Sequence, residues 1–189
     1  MIYYTIIIIP FIHSKPNINN YSWKQRNIGD IVNFYEERTT IEDEYPVLSS
    51  TMSGIYFQKE YFNQEVSTIT NVGYKVVPFG YITYRSMSDT DIFRFNVQNI
   101  IEKGIVSPAY PVFSANNKIL DSYFLTYQMN NSYSFFKQII LSKEGGTRYA
   151  LSFKKLAALK VTIPEKQEQF KIATTLIELD KIITLHQRK

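Results

Sequence analysis

Basic side chains stand beside hydroxyl-bearing ones at several predicted turns of this sequence. The set comprises the cations Lys75, Arg85, Arg148, Lys154 and Lys155 and the neighbouring Tyr74, Tyr84, Ser107 and Thr147. Cations of this kind neutralise phosphates, while arginine forks and hydroxyls bond to the edges of bases. The mixture indicates a nucleic-acid interface. The alternative for each residue is a solvated cation or a packing tyrosine, because Lys and Arg are scattered along the whole chain.

The sequence offers few parts for catalysis. Histidine occurs only at His13 and His186 and cysteine is absent, so neither a histidine-based metal site nor a serine triad has its residues in suitable places. The pair Gly145-Gly146 lacks the lysine and the strand-to-helix order of a phosphate-binding loop. The acidic run at residues 42–44 is expected to be solvated surface rather than a Mg²⁺ site. We therefore expect a non-catalytic binding protein, with a stand-alone enzyme of unrecognised chemistry as an alternative.

The composition indicates a folded and mildly basic protein. Of the 189 residues, 44% are hydrophobic and 15% aromatic, which favours a sheet-rich core over disorder. A net charge of +4 and a pI near 9.0 permit a nucleic-acid partner without establishing one. The absence of cysteine excludes disulfides and fits a reducing compartment, so the expected location is the cytoplasm.

The apolar N-terminal run MIYYTIIIIPFI is not expected to enter a membrane. No Lys or Arg precedes Lys15, no small-residue cleavage site follows, and the run is too short to span a bilayer. Residues 6–9 instead favour a buried strand or a variable N-terminal extension, and residues 13–20 a loop.

Alternating apolar residues predict strands that position the candidate side chains. Residues 45–57 read as two strands around a polar turn, and residues 74–85 as a hairpin that turns at residues 78–80. In residues 104–115, Pro108 and Pro111 restrict the strand to a sheet edge or a bulge. The apolar residues at positions 28, 31 and 32 fit one face of either a short helix or a strand.

The second half of the chain favours helices. Residues 119–141 predict two helices with a break near Asn130 and Asn131, the first capped by Asp121 or Ser122. A flexible turn at Gly145-Gly146, a short helix ending near residue 159 and a strand over residues 160–163 follow.

Residues 165–189 predict a long helix with an apolar seam. Ile172, Leu176, Leu179 and Ile183 recur at spacings of 4, 3 and 4, and Phe170, Ala173 and Ile177 widen the stripe. Pro164 suits the first turn, and the flanking charges suit the helix dipole. At about 1.5 Å per residue the helix would be roughly 37 Å long. The stripe either meets a partner or folds back onto its own domain.

The segment from Gly145 to Lys189 resembles the end of a target-recognition domain and the following helix of the DNA-specificity (S) subunits of type I restriction-modification systems. The shared features, in order, are Gly145-Gly146-Thr147, a short helix with Leu156, Ile163-Pro164, Glu168-Gln169 and Leu179-Asp180. Upstream, WKQRNIGDI, YKVVPFGYITYR and GIVSPAYPVF are similar to the domain-opening segment, the Gly-turn hairpin and the Ser-Pro-x-Tyr strand of that family. The resemblance covers residues 21–189.

The resemblance implies a division of labour among subunits. The S subunit reads double-stranded DNA, a methyltransferase subunit modifies adenine and a motor-nuclease subunit cuts, so S-adenosylmethionine, ATP and Mg²⁺ are expected only on the partners. The implied fold is α+β, with a twisted sheet in a target-recognition domain over residues 21–163, after an extension of unclear role over residues 1–20. The helix over residues 164–189 is then expected to pair as an antiparallel coiled coil.

The candidate DNA-contacting residues lie on loops of that domain and are Tyr74, Lys75, Tyr84, Arg85, Ser107, Tyr110, Thr147 and Arg148. Members of the family with two recognition domains have two such helices, whereas this chain has one of each, so we expect a half-subunit that forms a homodimer and reads a bipartite, palindromic site. The expected dimer interface is Phe170, Ile172, Ala173, Leu176, Leu179, Ile183 and His186. The alternative is a truncated or silent specificity cassette that only mediates protein association through its helix.

Overall fold

A computed structural model describes residues 23–62, 70–142 and 149–187. Three expectations fall outside these residues: the N-terminal extension over residues 1–20, the Gly145-Gly146 turn, and the positions of Thr147 and Arg148. The division of the chain into an extension, a recognition domain and a helix stays a prediction.

The described residues form a mixed α/β structure, as expected. The strands are β1 (Lys24–Asn27), β2 (Val32–Tyr35), β3 (Leu48–Thr51), β4 (Gly54–Phe57), β5 (Lys75–Pro78), β6 (Ile82–Tyr84), β7 (Met87–Ser88), β8 (Phe95–Val97), β9 (Lys103–Val106), β10 (Val112–Ala115), β11 (Tyr149–Ala150) and β12 (Lys160–Ile163). The helices are α1 (Gln58–Phe62), α2 (Ser122–Asn131), α3 (Tyr133–Leu141), α4 (Phe153–Ala158) and α5 (Lys166–Gln187), with a 3-10 turn at Ile28–Asp30.

A four-stranded antiparallel sheet in the order β2-β10-β6-β8 carries the main core. Its inward aromatic residues Tyr84, Phe95 and Phe113 are fully buried, and Phe124 of α2 and Phe135 of α3 join the same cluster. The rings of Tyr84 and Phe95 lie 4.8 Å apart in a tilted arrangement. Aromatic packing of this kind explains why the aromatic-rich sequence folds around a sheet.

A second layer is built from the hairpin β3-β4 and the antiparallel pair β5-β9. The contact between β3 and β9 requires glycine at position 104, because a Cβ there would lie 2.4 Å from Cδ1 of the buried Leu48. Leu48, Ile55, Val77 and Val106 form the smaller core of this layer with Val112. The β3-β4 hairpin confirms the strand-turn-strand prediction for residues 45–57.

The hairpin predicted over residues 74–85 is wrong. Both strands form, but β5 pairs with β9 while β6 pairs with β10 and β8, so the turn at residues 78–80 connects two different sheets. Gly80 adopts a φ of 81° in that turn, a left-handed conformation that favours glycine. Pro108 and Pro111 do interrupt the predicted strand, since they lie between β9 and β10, but its restriction to an edge or a bulge is wrong for β10, which is an inner strand of its sheet.

The helical predictions for residues 119–141 are confirmed. The carboxylate of Asp121 caps α2 by accepting a hydrogen bond from the Phe124 amide at 2.9 Å, and Ser132 caps α3 in the same way through the Phe135 amide. The ambiguous segment at residues 28–32 contains both elements, since the 3-10 turn is followed directly by β2.

Helix α5 begins at Lys166, two residues later than Pro164 would suggest, and is about 33 Å long over its 22 residues. Gln169 joins it to the domain. Its side chain is fully buried, accepts a hydrogen bond from the Asp121 amide and donates to the carbonyls of Ile119 and Pro164, each at 2.9 Å. None of the helices in the described ranges is long and apolar enough to span a bilayer.

Candidate nucleic-acid interface

A cleft of about 600 Å³ opens between the β3-β4 hairpin with α1 and the segment that follows β6. Four of the residues expected to contact DNA line it: Tyr74, Arg85, Ser107 and Tyr110. They come from three separate parts of the chain, so the fold, rather than sequence proximity, brings them together.

Strand pairing places Tyr74 next to Ser107. In the β5-β9 ladder Lys75 is opposite Val106, and Tyr74 and Ser107 are the next residues beyond that end of the ladder. The turn after Ser107 is closed by a hydrogen bond from the Tyr110 amide to the Ser107 carbonyl at 2.9 Å. The Ser86 hydroxyl then donates to the Ala109 carbonyl at 2.7 Å and fixes this turn beside Arg85.

The cleft combines a cation with a half-buried phenol. Burial raises the pKa of Tyr110, and the positive charge of Arg85 opposes that rise, so the two groups lie within electrostatic range of each other. Arg85 itself is exposed. A neutral hydroxyl next to an accessible guanidinium supplies hydrogen-bond donors for phosphate oxygens or for the acceptor edge of a guanine.

The structure adds residues that the sequence analysis missed. Arg94 also lines the cleft, and its Nε is buried with no hydrogen-bond partner among the described residues. The alternation of buried Phe93 and Phe95 around half-buried Arg94 is a strand signal that would have revealed this side chain. Tyr61 and Phe62 of α1 add a half-exposed aromatic rim, with their ring centroids 4.9 Å apart.

Two of the expected contact residues belong instead to the interior. Tyr84 is fully buried, and its hydroxyl donates to the Leu151 carbonyl at 2.9 Å. The Nζ of Lys75 lies 3.0 Å from a carboxylate oxygen of Glu36 and 5.5 Å from the ring centre of Phe34, and its side chain is only 8% exposed. Because both side chains are buried, the expectation that they contact DNA is corrected.

The ion pair with Lys75 also perturbs its partner. The hydrogen bond from Lys75 lowers the pKa of Glu36, with a smaller contribution from Arg38, whose guanidinium lies 3.1 Å away. Lys103 similarly pairs with Glu37 at 3.0 Å. These pairs satisfy the cations at this end of β2, so this group of charges is a structural feature of the fold.

The remaining candidates give no support to the cleft. Lys154 and Lys155 are on α4 and do not line the cleft, and Thr147 and Arg148 are outside the described residues. In the acidic run, Asp43 accepts a hydrogen bond from Asn71 and Glu44 accepts one from the Thr40 amide. The described part of the chain has no group of three acidic or histidine side chains that would hold a metal ion.

The seam of α5 divides into a packed part and an exposed part. Ala173 is buried in the main core, and Leu176 lines a groove between α5 and α2, so the expected assignment of Ala173 to a dimer interface is corrected. Ile172 is half-buried against the same core. By contrast, Leu179 is 39% exposed and Ile183 49% exposed.

The other two seam candidates are also exposed. Phe170 is exposed but projects about 180° around the helix from Leu179, given 100° per residue. His186 is near the end of α5, where its Nδ1 lies 2.9 Å from the Ile182 carbonyl. The helix therefore packs on its own domain near its start and exposes apolar side chains near its end, while pairing with a partner stays a prediction.

Comparison with known proteins gives a consistent result. Residues 20–189 match the family model described as the type I restriction modification DNA specificity domain. The specificity subunit of the type I restriction enzyme HindI from Haemophilus influenzae is 25% identical over 169 residues, which cover 87% of this chain and 36% of that protein. The chain thus spans about a third of the length of this curated relative.

Solved structures share the fold. The HsdS subunit from Thermoanaerobacter tengcongensis has a TM-score of 0.59 at 17% identity, covering 88% of this chain and 44% of that chain. The S subunit of a type I system from M. genitalium has a TM-score of 0.54 at 19% identity over 88% of this chain and 41% of that chain. A chain from a structural study of type I system assembly has a TM-score of 0.59 at 16% identity, over 93% of this chain and 42% of that chain.

Proposed function

Because this chain belongs to the family of type I restriction-modification DNA specificity domains, we propose that it selects the DNA sequence on which a type I complex acts. The single observation that supports a specific site for this function is the cleft, which is lined by Tyr74, Arg85, Ser107 and Tyr110. These residues supply one exposed guanidinium and three hydroxyls around a concave surface, and the nearby Arg94 supplies a second cation.

The cleft residues divide into two kinds of contact. Arginine is the side chain best suited to a bidentate bond with guanine in the major groove, so exposed Arg85 is the proposed base-reading residue. Serine and tyrosine hydroxyls bond to phosphates or base edges, and the exposed aromatic rim of α1 offers apolar contact with thymine methyl groups. Lys75 and Tyr84 have no role in this proposal, since both are buried.

Partner subunits supply the chemistry in this proposal. A methyltransferase subunit modifies adenine with S-adenosylmethionine, and a motor-nuclease subunit uses ATP and Mg²⁺, so no cofactor is assigned to this chain. The assembled complex acts on cellular DNA, which places it in the cytoplasm.

The exposed end of α5 supports a homodimer. Leu179 and Ile183 lie four residues apart on one side of the helix, and the described part of the chain leaves them 39% and 49% exposed. Two copies that pair antiparallel through this surface would bury both stripes and place two identical domains along the duplex. A helix of about 33 Å is close to one turn of B-DNA, about 34 to 36 Å, so both domains would face the same side of the DNA.

Methylation mapping tests this proposal directly. The chain is co-expressed with a methyltransferase subunit of its type I system in a host without other adenine methylation, and methylated adenines are located by sequencing. A bipartite palindromic motif is the expected result. An asymmetric motif would contradict the homodimer, and the absence of sequence-dependent methylation with an intact subunit complex would contradict DNA reading.

The same exposed helix also favours a second candidate, a cassette that associates with other subunits but reads no DNA. In that case Leu179→Asp would abolish association with the partner subunits, whereas Arg85→Ala would change nothing. Under the proposed function, Arg85→Ala alters the methylated motif or its extent of methylation while the complex still assembles.

A further inference from the structure

A second basic surface lies where α5 leaves the domain, in a hollow of about 450 Å³ that shares no lining residue with the cleft. Its cations are Lys24, Arg26, Lys118 and Lys166, and Glu165 is the single carboxylate among its described lining residues. We call this surface the junction hollow. The cations come from β1, from the turn before α2 and from the start of α5, so three distant segments converge on one positive site.

The frame around the junction hollow is fixed by hydrogen bonds. Strand β1 is paired along its whole length with β12, and Lys24 and Arg26, two residues apart, project from the same face of the strand. Gln169 ties the turn before α2 to the start of α5 through Ile119 and Asp121, and the Nζ of Lys166 donates to the Asn117 carbonyl. The cations therefore stand on paired backbone rather than on a free loop.

Unlike the cations near β2, these side chains form no ion pair with a carboxylate in the part of the chain that the structure describes. Lys75, Lys103 and Arg38 each lie within about 3 Å of a glutamate, as the ion pairs above show. Lys24, Arg26 and Lys118 are all exposed and form no ion pair with any residue in the described ranges. The junction hollow consequently has a net positive charge that no residue in the described ranges neutralises by an ion pair.

We propose that the junction hollow binds the phosphate backbone of the DNA between the two half-sites, as a contact without sequence preference. The inference rests on the proposed function, in which α5 separates two domains along a duplex, and it adds that the start of α5 faces the DNA between them. Three lysines and one arginine suit phosphates better than base edges, because lysine acts as a point charge.

A polyanion fits this surface better than an acidic protein does. Protein interfaces depend on buried aromatic or arginine anchors in apolar pockets, whereas the residues that line the junction hollow in the described ranges include no aromatic side chain. Phosphate binding needs only cations that release condensed counterions from DNA.

The test uses three variants of the full chain, each of which removes the charge of one exposed lysine. Each variant is measured in complex with the methyltransferase subunit. Lys24→Gln and Lys118→Gln remove cations from the junction hollow, and Lys137→Gln on α3 is the matched control. Affinity is measured over a series of salt concentrations, both for DNA containing the mapped site and for unrelated DNA.

Each variant of the junction hollow is expected to reduce the slope of log affinity against log salt by about 0.9 per lost phosphate contact, or about 1.8 for a dimer. The reduction should be equal on both DNAs, and the methylated motif should stay the same. Lys137→Gln should leave the slope unchanged.

The outcomes separate this inference from the proposed function. Unchanged slopes in both hollow variants, with wild-type binding intact, would overturn the phosphate site alone. A changed methylation motif would show base reading, and lost methyltransferase association with unchanged slopes would show a protein-binding surface; either result also overturns it. A wild-type complex with no preference among DNA sequences would overturn the proposed function, while the slopes on unrelated DNA would still decide the inference.

Discussion

Tyr84 and Arg85 are adjacent in sequence but belong to different parts of the protein. The Tyr84 side chain points into the main core, where burial raises the pKa of its hydroxyl and the Leu151 carbonyl accepts its hydrogen bond. Arg85 follows the end of β6 and opens into the cleft. The period of two in a strand predicts that neighbours face opposite sides, but it does not say which side is the interior.

Tyr84→Phe should destabilise the fold without changing DNA recognition. The substitution leaves the buried Leu151 carbonyl without its donor, which costs about 1 to 2 kcal/mol in the free energy of unfolding. Urea unfolding of the full chain measures this loss. Tyr133→Phe, at a position that is 77% exposed on α3, is the matched control and should have no effect. If a Tyr84→Phe protein that is still folded lost as much free energy of DNA binding as of unfolding, the assignment of Tyr84 to the core would be contradicted.

Arg85→Ala should affect recognition without affecting stability. If Arg85 bonds to a guanine, its loss costs roughly 1 to 3 kcal/mol of binding and relaxes the specificity at one position of the motif. Arg85→Lys keeps the charge but lacks the fork, so it should restore little of the specificity. Binding assays on the mapped site and on single-base variants measure both effects. Full recovery by lysine, with a uniform loss across sequences in the alanine variant, would assign Arg85 to a phosphate instead.

At the scale of elements, local patterns predicted which residues form strands and helices but not which strands pair. The helices over residues 119–141 were predictable because their caps, Asp121 and Ser132, act within three residues of themselves. The partner of β5 was not, since β9 begins 25 residues after β5 ends and the short turn at residues 78–80 favours a local hairpin that does not form. The close contact of Gly104 with Leu48 likewise joins β9 to β3, two strands that are far apart in the sequence.

Helix α5 combines an anchor and an exposed surface. Gln169 and Ala173 hold its first three turns to the domain, whereas its apolar residues from Leu179 onward have much of their surface in water. The apolar stripe predicted from the sequence contains both buried and exposed side chains. A seam predicted from spacing alone therefore overestimates the surface available to a partner. Leu176 belongs to the groove beside α2 and is a poor test position for this reason.

Leu179→Asp should dissociate the proposed dimer while the domain stays folded. A carboxylate in a paired apolar seam would be buried without a partner, and we expect a loss of roughly 3 kcal/mol, or about 100-fold in the dimer dissociation constant. Size-exclusion chromatography with light scattering measures the mass over a range of concentrations. Leu185→Asp is the matched control, because Leu185 is exposed but lies on another side of the helix. A wild-type chain that is monomeric at all concentrations would contradict the proposal.

At the scale of the whole molecule, the cleft is assembled from segments that the sequence does not connect. Tyr74, Arg85 and Ser107 were identifiable as residue types near turns, but their proximity depends on the β5-β9 ladder and on the turn closed at Tyr110. The alternation around Arg94 marks that side chain as facing away from the core, but nothing local indicates that it and the aromatic rim of α1 face the same space. A candidate site of this kind becomes predictable only when strand pairing is known.

Two linked domains should bind a full site far more tightly than a half-site. Once the first domain is bound, the second searches a small volume at an effective concentration in the millimolar range, which raises avidity by about 10² to 10⁴. Titration of the wild-type complex with labelled full-site and half-site duplexes measures this ratio. Leu179→Asp should bring the ratio close to one without weakening half-site binding, because the cleft is not altered, whereas Leu185→Asp should keep the wild-type ratio. Retention of the full-site preference by a monomeric Leu179→Asp chain would mean that the second domain is brought to the DNA by some other contact, and the role of the α5 seam would then have to be abandoned.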